Sequence, residues 1–181
     1  MWNIKRIIHK IRGDMDIERL IKRGLVLGDN CFINFGCVID ETFCWLIEIG
    51  NNVTLAPHVH ILAHDASTKR VLGYTKLGGV KIHDNVFIGA RSIILPGVEI
   101  GENSIIGAGT VIVKDVPDNV VVAGNPAQIL CSTEEYIEKQ RRKMESAFLY
   151  DGSYTIMGNV SEEKKQKMKK EIGCNKAGFI K

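Results

Sequence analysis

From Ile82 to Val113 an aliphatic residue returns at every sixth position, and the polar residues between keep their places with it. The units read Ile82-His-Asp-Asn-Val-Phe, Ile88-Gly-Ala-Arg-Ser-Ile, Ile94-Leu-Pro-Gly-Val-Glu, Ile100-Gly-Glu-Asn-Ser-Ile and Ile106-Gly-Ala-Gly-Thr-Val. Counting the isoleucine as position one, position five is small or β-branched: Val86, Ser92, Val98, Ser104 and Thr110. Position four is Asn85, Gly97, Asn103 or Gly109, with Arg91 the exception. Asn and Gly tolerate positive φ, so their fixed spacing predicts a corner after each short strand. A six-residue unit has no way to bury its own apolar side, so the units must stack and share a core.

The same frame runs upstream through Leu27, Ile33 and Ile39, with Asn30 and Gly36 at corners, then slips between Trp45 and Glu48. It resumes at Ile49, Leu55 and Ile61 and is lost between Asp65 and Lys81, which predicts an extruded loop. Long loops on repeat scaffolds are commonly functional. Three segments follow: a helical segment over 1–24, the repeat body over 25–130 and a helical extension over 131–181. In the first, Ile4, Ile7, Ile8 and Ile11 share a helix face, with Lys5, Arg6, Lys10 and Arg12 on the other. Such a helix fits the end of the stack, or in the second place an anionic membrane surface. A short helix over Ile17, Leu20 and Ile21 is capped by Asp14 or Asp16 and ends near Gly24. Beyond the Gly124-Asn-Pro-Ala127 exit turn, a polar helix is predicted over 133–148 after a Ser132 or Thr133 cap, and residues 161–172 read either as a last helix capped by Ser161 or as a frayed tail.

Charge sharpens this division. The chain of 181 residues carries a net charge of +3, yet residues 25–131 hold ten acids against six Lys/Arg. Both ends are basic and the body is acidic, unlike a nucleic-acid-binding stripe. No run of ~18 apolar residues suits a membrane span, and the N-terminus lacks the apolar region of a signal peptide, so a cytoplasmic protein is expected. No Cys-x-x-Cys pair occurs among the five cysteines; Cys31 and Cys37 fall at the small inward position and read as core.

The repeat units, the extruded loop with its histidine and the Gly-Asn-Pro-Ala close together resemble the hexapeptide-repeat acyltransferases. The likeness is strongest to the galactoside and maltose acetyltransferases and to polysaccharide O-acetyltransferases. It covers roughly residues 25 to 130, above all Ile88 to Ala127. The resemblance implies a left-handed parallel β-helix with three hexapeptides to a triangular coil, a homotrimer, acetyl-coenzyme A as donor, and active sites in clefts between subunits. It also implies a catalytic histidine at the loop, which here is His64. Asn34, Asp40 and Glu41 fall where galactoside acetyltransferases place sugar-binding residues. Ala90 and Ala108 stack on successive coils where the pantetheine arm lies close. Lys114 matches a coenzyme-contacting lysine, with Val113 in place of the usual threonine. Gln128 and Cys131 replace the basic residues that relatives set near the nucleotide phosphates, leaving Lys114, Lys139, Arg141 or Arg142 for that role.

Acetyl transfer to a hydroxyl needs a base that takes the hydroxyl proton, and a neutral imidazole with an ordinary pKa of about 6.5 suits neutral pH. Within the frame His58 and His64 both occupy position four, so a corner role stands beside the catalytic one, and Asp65 is one candidate to orient His64. His58, His60 and His64 could be read as a zinc site, but 58 and 60 share a strand face while 64 falls on the next, and no metal is expected. The reading is an acetyl-coenzyme A-dependent O-acetyltransferase of a sugar or glycan-precursor hydroxyl. The alternatives are an amino-sugar N-acetyltransferase, a silent β-helix scaffold and a zinc hydratase of the carbonic anhydrase type.

Overall fold

A computed structural model describes residues 15–173 and 177–181; the basic helix expected over residues 2–12 lies outside them. The chain divides into two compact units, Met1–Thr133 and Glu134–Lys181.

The first unit is a parallel β-helix with three faces, each a column of two- to four-residue strands. The first face stacks Val26–Leu27, Ile47–Ile49, Val80–Ile82 and Glu99–Ile100. The second stacks Phe32–Ile33, Thr54–Leu55, Phe87–Ile88, Ile105–Ile106 and Val120–Ala123. The third stacks Val38–Ile39, His60–Ile61, Ile93–Ile94 and Val111–Ile112. Within every column the frame isoleucine or leucine pairs with its counterpart, as in Ile33↔Leu55, Leu55↔Ile88 and Ile88↔Ile106. Ile39, Leu55, Ile61, Ile88, Ile94, Ile106 and Ile112 are fully buried along the axis. The small inward hydroxyls are buried too and donate to backbone: Ser92 to the Gly107 carbonyl (2.9 Å), Ser104 to Pro117 (2.7 Å) and Thr110 to Gly107 (2.6 Å). Buried polar groups are thereby kept paired.

The corner between the first and second faces is continuous from top to bottom. Asn30, Asn52, Asn85, Asn103 and Asn119 all have φ between 56° and 59°. Their side-chain amides form one ladder: Nδ2 of each donates to Oδ1 of the next, at 3.4 Å in the first step and 3.0 Å in the others. Asn pays less for this backbone region than other non-glycine residues, because its short amide bonds locally.

Coil length varies at another corner, the one between the third and first faces. Phe87 pairs with Ile105 eighteen residues on, the regular coil. Val38 pairs with His60 twenty-two residues on, so this coil holds four extra residues. They belong to the turn after Asp40, which ends in a 3-10 helix at Cys44–Leu46. Ile47–Ile49 is already back in the sheet, so the slip falls earlier than the repeat pattern suggested. His60 pairs with Ile93 thirty-three residues on, and this excess is the predicted loop. The loop is an arm rather than a coil: His64–Asp65 pairs antiparallel with Lys76–Leu77, and a short helix, Lys69–Leu72, ends on Gly73 at φ 77°.

At the N-terminal end of the described coils, helix Ile17–Lys22 buries Leu20 against the core. Asp16 caps it, accepting from the Arg19 N–H. At the other end Gln128–Ser132 runs back antiparallel to Val120–Ala123, past a cis Asn125–Pro126 bond. Thr133 donates its hydroxyl to the Asn103 carbonyl (2.9 Å).

In the second unit, helix Glu162–Ile172 starts at Ser161, whose hydroxyl accepts from the Lys164 N–H. Strands Phe148–Tyr150 and Gly178–Ile180 pair in parallel, an element that the sequence pattern did not predict. Tyr150 is buried, donates to Glu171 (3.0 Å) and packs on Tyr154 with ring centroids 4.8 Å apart.

Candidate active site

Four residues occupy equivalent places just after the strands of the third face. Three are apolar, Leu62, Leu95 and Val113; the fourth is Asp40. Asp40 is only 4% exposed. Its Oδ1 accepts from the N–H groups of Thr42 (3.0 Å) and Phe43 (3.2 Å). Its Oδ2 accepts from the Ala63 N–H (3.0 Å) and from the His64 ring at Nδ1. Burial pushes the Asp40 carboxyl up, but the His64 bond and the Ala63, Phe43 and Thr42 N–H groups outweigh it, and the net displacement is downward.

An ionised carboxylate accepts only, so the shared proton sits on Nδ1, and in the neutral ring the lone pair is on Nε2. The His64 side chain is 35% exposed. It opens into a cleft of about 480 Å³ lined by Leu62, Lys76, Leu95, Pro96 and Val113. Phe43 packs on the imidazole at 5.3 Å between centroids. A partly exposed ring held on one nitrogen and open on the other can take a proton from a ligand in the cleft.

His64 is not a corner residue. It begins the arm's first strand, whereas His58 holds the corner conformation (φ 62°) and packs edge-on against Phe35 at 5.2 Å. Position four therefore predicted the backbone of His58 correctly and that of His64 incorrectly, because the frame ends at Ala63. Asp65 accepts instead from the Ser67 N–H at 2.8 Å. Hydrogen bonds from the Ser67 backbone and side chain hold its carboxyl below the usual range. Among the described residues no group of three His, Cys, Asp or Glu side chains is arranged to hold a metal ion.

The other expected site residues do not all gather here. Asp40, expected to face an acceptor sugar, is turned inward with its four acceptor positions occupied. Glu41 is exposed and ion-paired with Arg19. Val113 lines the cleft and Lys114 follows it, exposed. Ala90 and Ala108 stack as expected, the Gly109 N–H donating to the Ala90 carbonyl (2.8 Å), but at the corner between the second and third faces. Asn34 lies at that same corner, donating its amide to the Leu55 carbonyl (3.0 Å). One chain thus carries the histidine at one corner and the small-residue strip at another. Arg141 and Arg142 pair with Glu138 of the same helix, Thr133–Glu145. Gln128 and Cys131 lie in the antiparallel return strand.

Residues 79–114 match the family described as bacterial transferase hexapeptide (six repeats). Protein CapG of Staphylococcus aureus is 38% identical over 167 residues, covering 88% of this chain and 91% of CapG. The chain belongs to the hexapeptide-repeat acetyltransferase family. Its helix superposes on a maltose O-acetyltransferase from Clostridium difficile with a TM-score of 0.52 at 29% identity, covering 71% of this chain and 83% of the other. A galactoside acetyltransferase solved in complex with coenzyme A gives 0.54 at 26% identity, over 74% and 80%. In this hexapeptide acetyltransferase the β-helix is accordingly left-handed, an exception to the usual crossover rule. No helix among its described residues is long and apolar enough to cross a membrane.

Proposed function

We propose that this acetyltransferase moves an acetyl group from acetyl-coenzyme A to a hydroxyl of a sugar or glycan precursor, with His64 as general base. The Asp40–His64 pair at the mouth of the cleft carries the reading. Acetyl-coenzyme A supplies the activated thioester. His64 Nε2 takes the acceptor's hydroxyl proton as the oxygen attacks the thioester carbonyl; on C–S cleavage the same ring returns a proton to the departing thiolate. Asp40 is the positioning residue, fixing the tautomer and steadying the imidazolium between the two transfers, as a buried carboxylate does for a catalytic histidine elsewhere. The apolar column Leu62, Leu95 and Val113 suits the pantetheine arm, and Lys114 the phosphates.

The separation of His64 from Ala90, Ala108 and Asn34 favours a homotrimer, in which the strip corner of one copy faces the histidine corner of the next. A three-faced helix with these two unlike corners closes naturally with threefold symmetry. The sugar assignment rests on the relatives, two of which act on maltose and galactoside by name. A thiol-release assay with acetyl-coenzyme A against sugars, amino sugars and serine tests it. Fastest release with a sugar hydroxyl is expected; release with amino sugars alone would replace oxygen by nitrogen as acceptor.

A further inference from the structure

We propose that the turn inserted after Asp40 is a second acceptor subsite, in which Trp45 stacks a sugar ring beyond the one that receives the acetyl group. This rests on the sugar reading above and deepens it.

The regular coil does not need these residues. Cys44 points inward, its thiol 3.7 Å from the Leu20 carbonyl, and Phe43 and Leu46 pack partly against the core, which leaves Trp45 as the large apolar side chain of the turn that is not spent there. Trp45 is 54% exposed. An indole left in water on a well-anchored turn is the kind of exposed apolar surface that marks a binding site. The anchoring is tight: Thr42 and Phe43 N–H groups bond Asp40, and the Leu46 N–H bonds the Phe43 carbonyl (3.0 Å). The rings are therefore presented at fixed positions, which lowers the ordering cost of binding.

The rings also lead outward from the base. Phe43 lies 5.3 Å from the His64 ring, and Trp45 stands edge-to-face with Phe43 at 5.6 Å. The turn occupies the coil on the N-terminal side of His64, whereas Pro96, Val113 and Lys114 lie on the C-terminal side. Donor and acceptor are thus given opposite directions along one corner. A sugar whose hydroxyl reaches Nε2 lies against Phe43, and the ring linked to it comes to Trp45. The electron-rich indole face attracts the polarised C–H face of a pyranose. Glu41 on the same turn, paired with Arg19 of helix Ile17–Lys22, offers acceptors and donors to its hydroxyl rim. The acceptor is accordingly a glycoside of two or more rings.

The chain has two tryptophans, so Trp2→Phe leaves Trp45 as the sole indole emitter. Its emission is titrated with methyl glycosides of the common hexoses and N-acetylhexosamines, and with the matching disaccharides. A saturable change with a disaccharide and none with its one-ring partner is expected. In transfer assays Trp45→Ala should raise the disaccharide KM about tenfold, with the one-ring and acetyl-coenzyme A KM values unmoved, and Trp45→Phe should recover part. Emission silent to every disaccharide, equal loss for both acceptor lengths, or dissociation of the assembly by light scattering overturns the shelf. A disaccharide response without acetyl transfer to any sugar would keep the shelf and sink the O-acetylation reading instead.

Discussion

Asp40 and His64 stand twenty-four residues apart and meet through one hydrogen bond, Oδ2 accepting from Nδ1. Two departures from the repeat meet there: the turn that follows Asp40 and the arm that His64 begins. The bond holds the imidazole only because both interruptions fall at one corner.

His64→Ala is expected to lower kcat by about 10²–10⁴-fold with the mass in solution and the donor KM nearly unchanged. Asp40→Asn should cost at least about tenfold in kcat by disturbing the tautomer, with a smaller effect on either KM. Steady-state kinetics beside light scattering on the same preparations checks both. A folded His64→Ala enzyme with near-normal kcat would remove the base.

The acid limb of stability should carry Asp40's signature. Its folded pKa lies below the unfolded value of about 3.9, so it stabilises at neutral pH. That contribution fades as pH falls below about 3.9 and through the lower folded value. Asp40→Asn should melt lower than wild type at pH 7, and the gap should narrow toward pH 2. Melting curves at several pH values decide it; a constant gap would assign the loss to packing alone.

Lys114→Ala should raise the donor KM about ten- to a hundredfold with little change in kcat, if the ammonium meets a coenzyme phosphate. The effect should shrink as salt rises, because the side chain is exposed. An unmoved KM would place the phosphates elsewhere.

Gly78, where the arm rejoins the body, has no room for a side chain. A Cβ there would lie 2.5 Å from the Gly97 backbone nitrogen. The same residue donates its N–H to the Ala63 carbonyl, next to His64. Gly78→Ala is expected to cost about 1–3 kcal/mol and to lower kcat more than donor affinity. Thermal melts and kinetics read the two together.

Asn85 separates backbone from side-chain contributions. Asn85→Gly keeps the φ of 59° available and loses only amide bonds between exposed groups, whereas Asn85→Ala loses both. The alanine variant should be less stable than the glycine variant by about 1 kcal/mol, measured by urea unfolding.

The stack itself was legible because its period is local. A corner at Asn30, Asn52, Asn85 and Asn103 needs only the residue's own conformational tolerance. The site was legible in part. His64 stood out as the histidine before the frame fails, but Asp40 passed for an acceptor ligand because its partner lies in another coil. A signal was there: a carboxylate in a column otherwise filled by Leu62, Leu95 and Val113. The pairing of Phe148–Tyr150 with Gly178–Ile180 left no such trace, since the strands are short and far apart in sequence.

The asparagine ladder runs unbroken past both interruptions. Neither the turn after Asp40 nor the arm after His64 touches that corner, so chain length can change at one edge of the prism without cutting the spine at another. Such an arrangement separates inheritance from invention. The spine can stay fixed while the segments 41–46 and 66–77 change in length, and under the proposed reading such changes would fall on the acceptor and leave the frame unaltered. For a protein engineer the grafting points are already marked, at Asp40 and Ile47 for one segment and at Asp65 and Gly78 for the other.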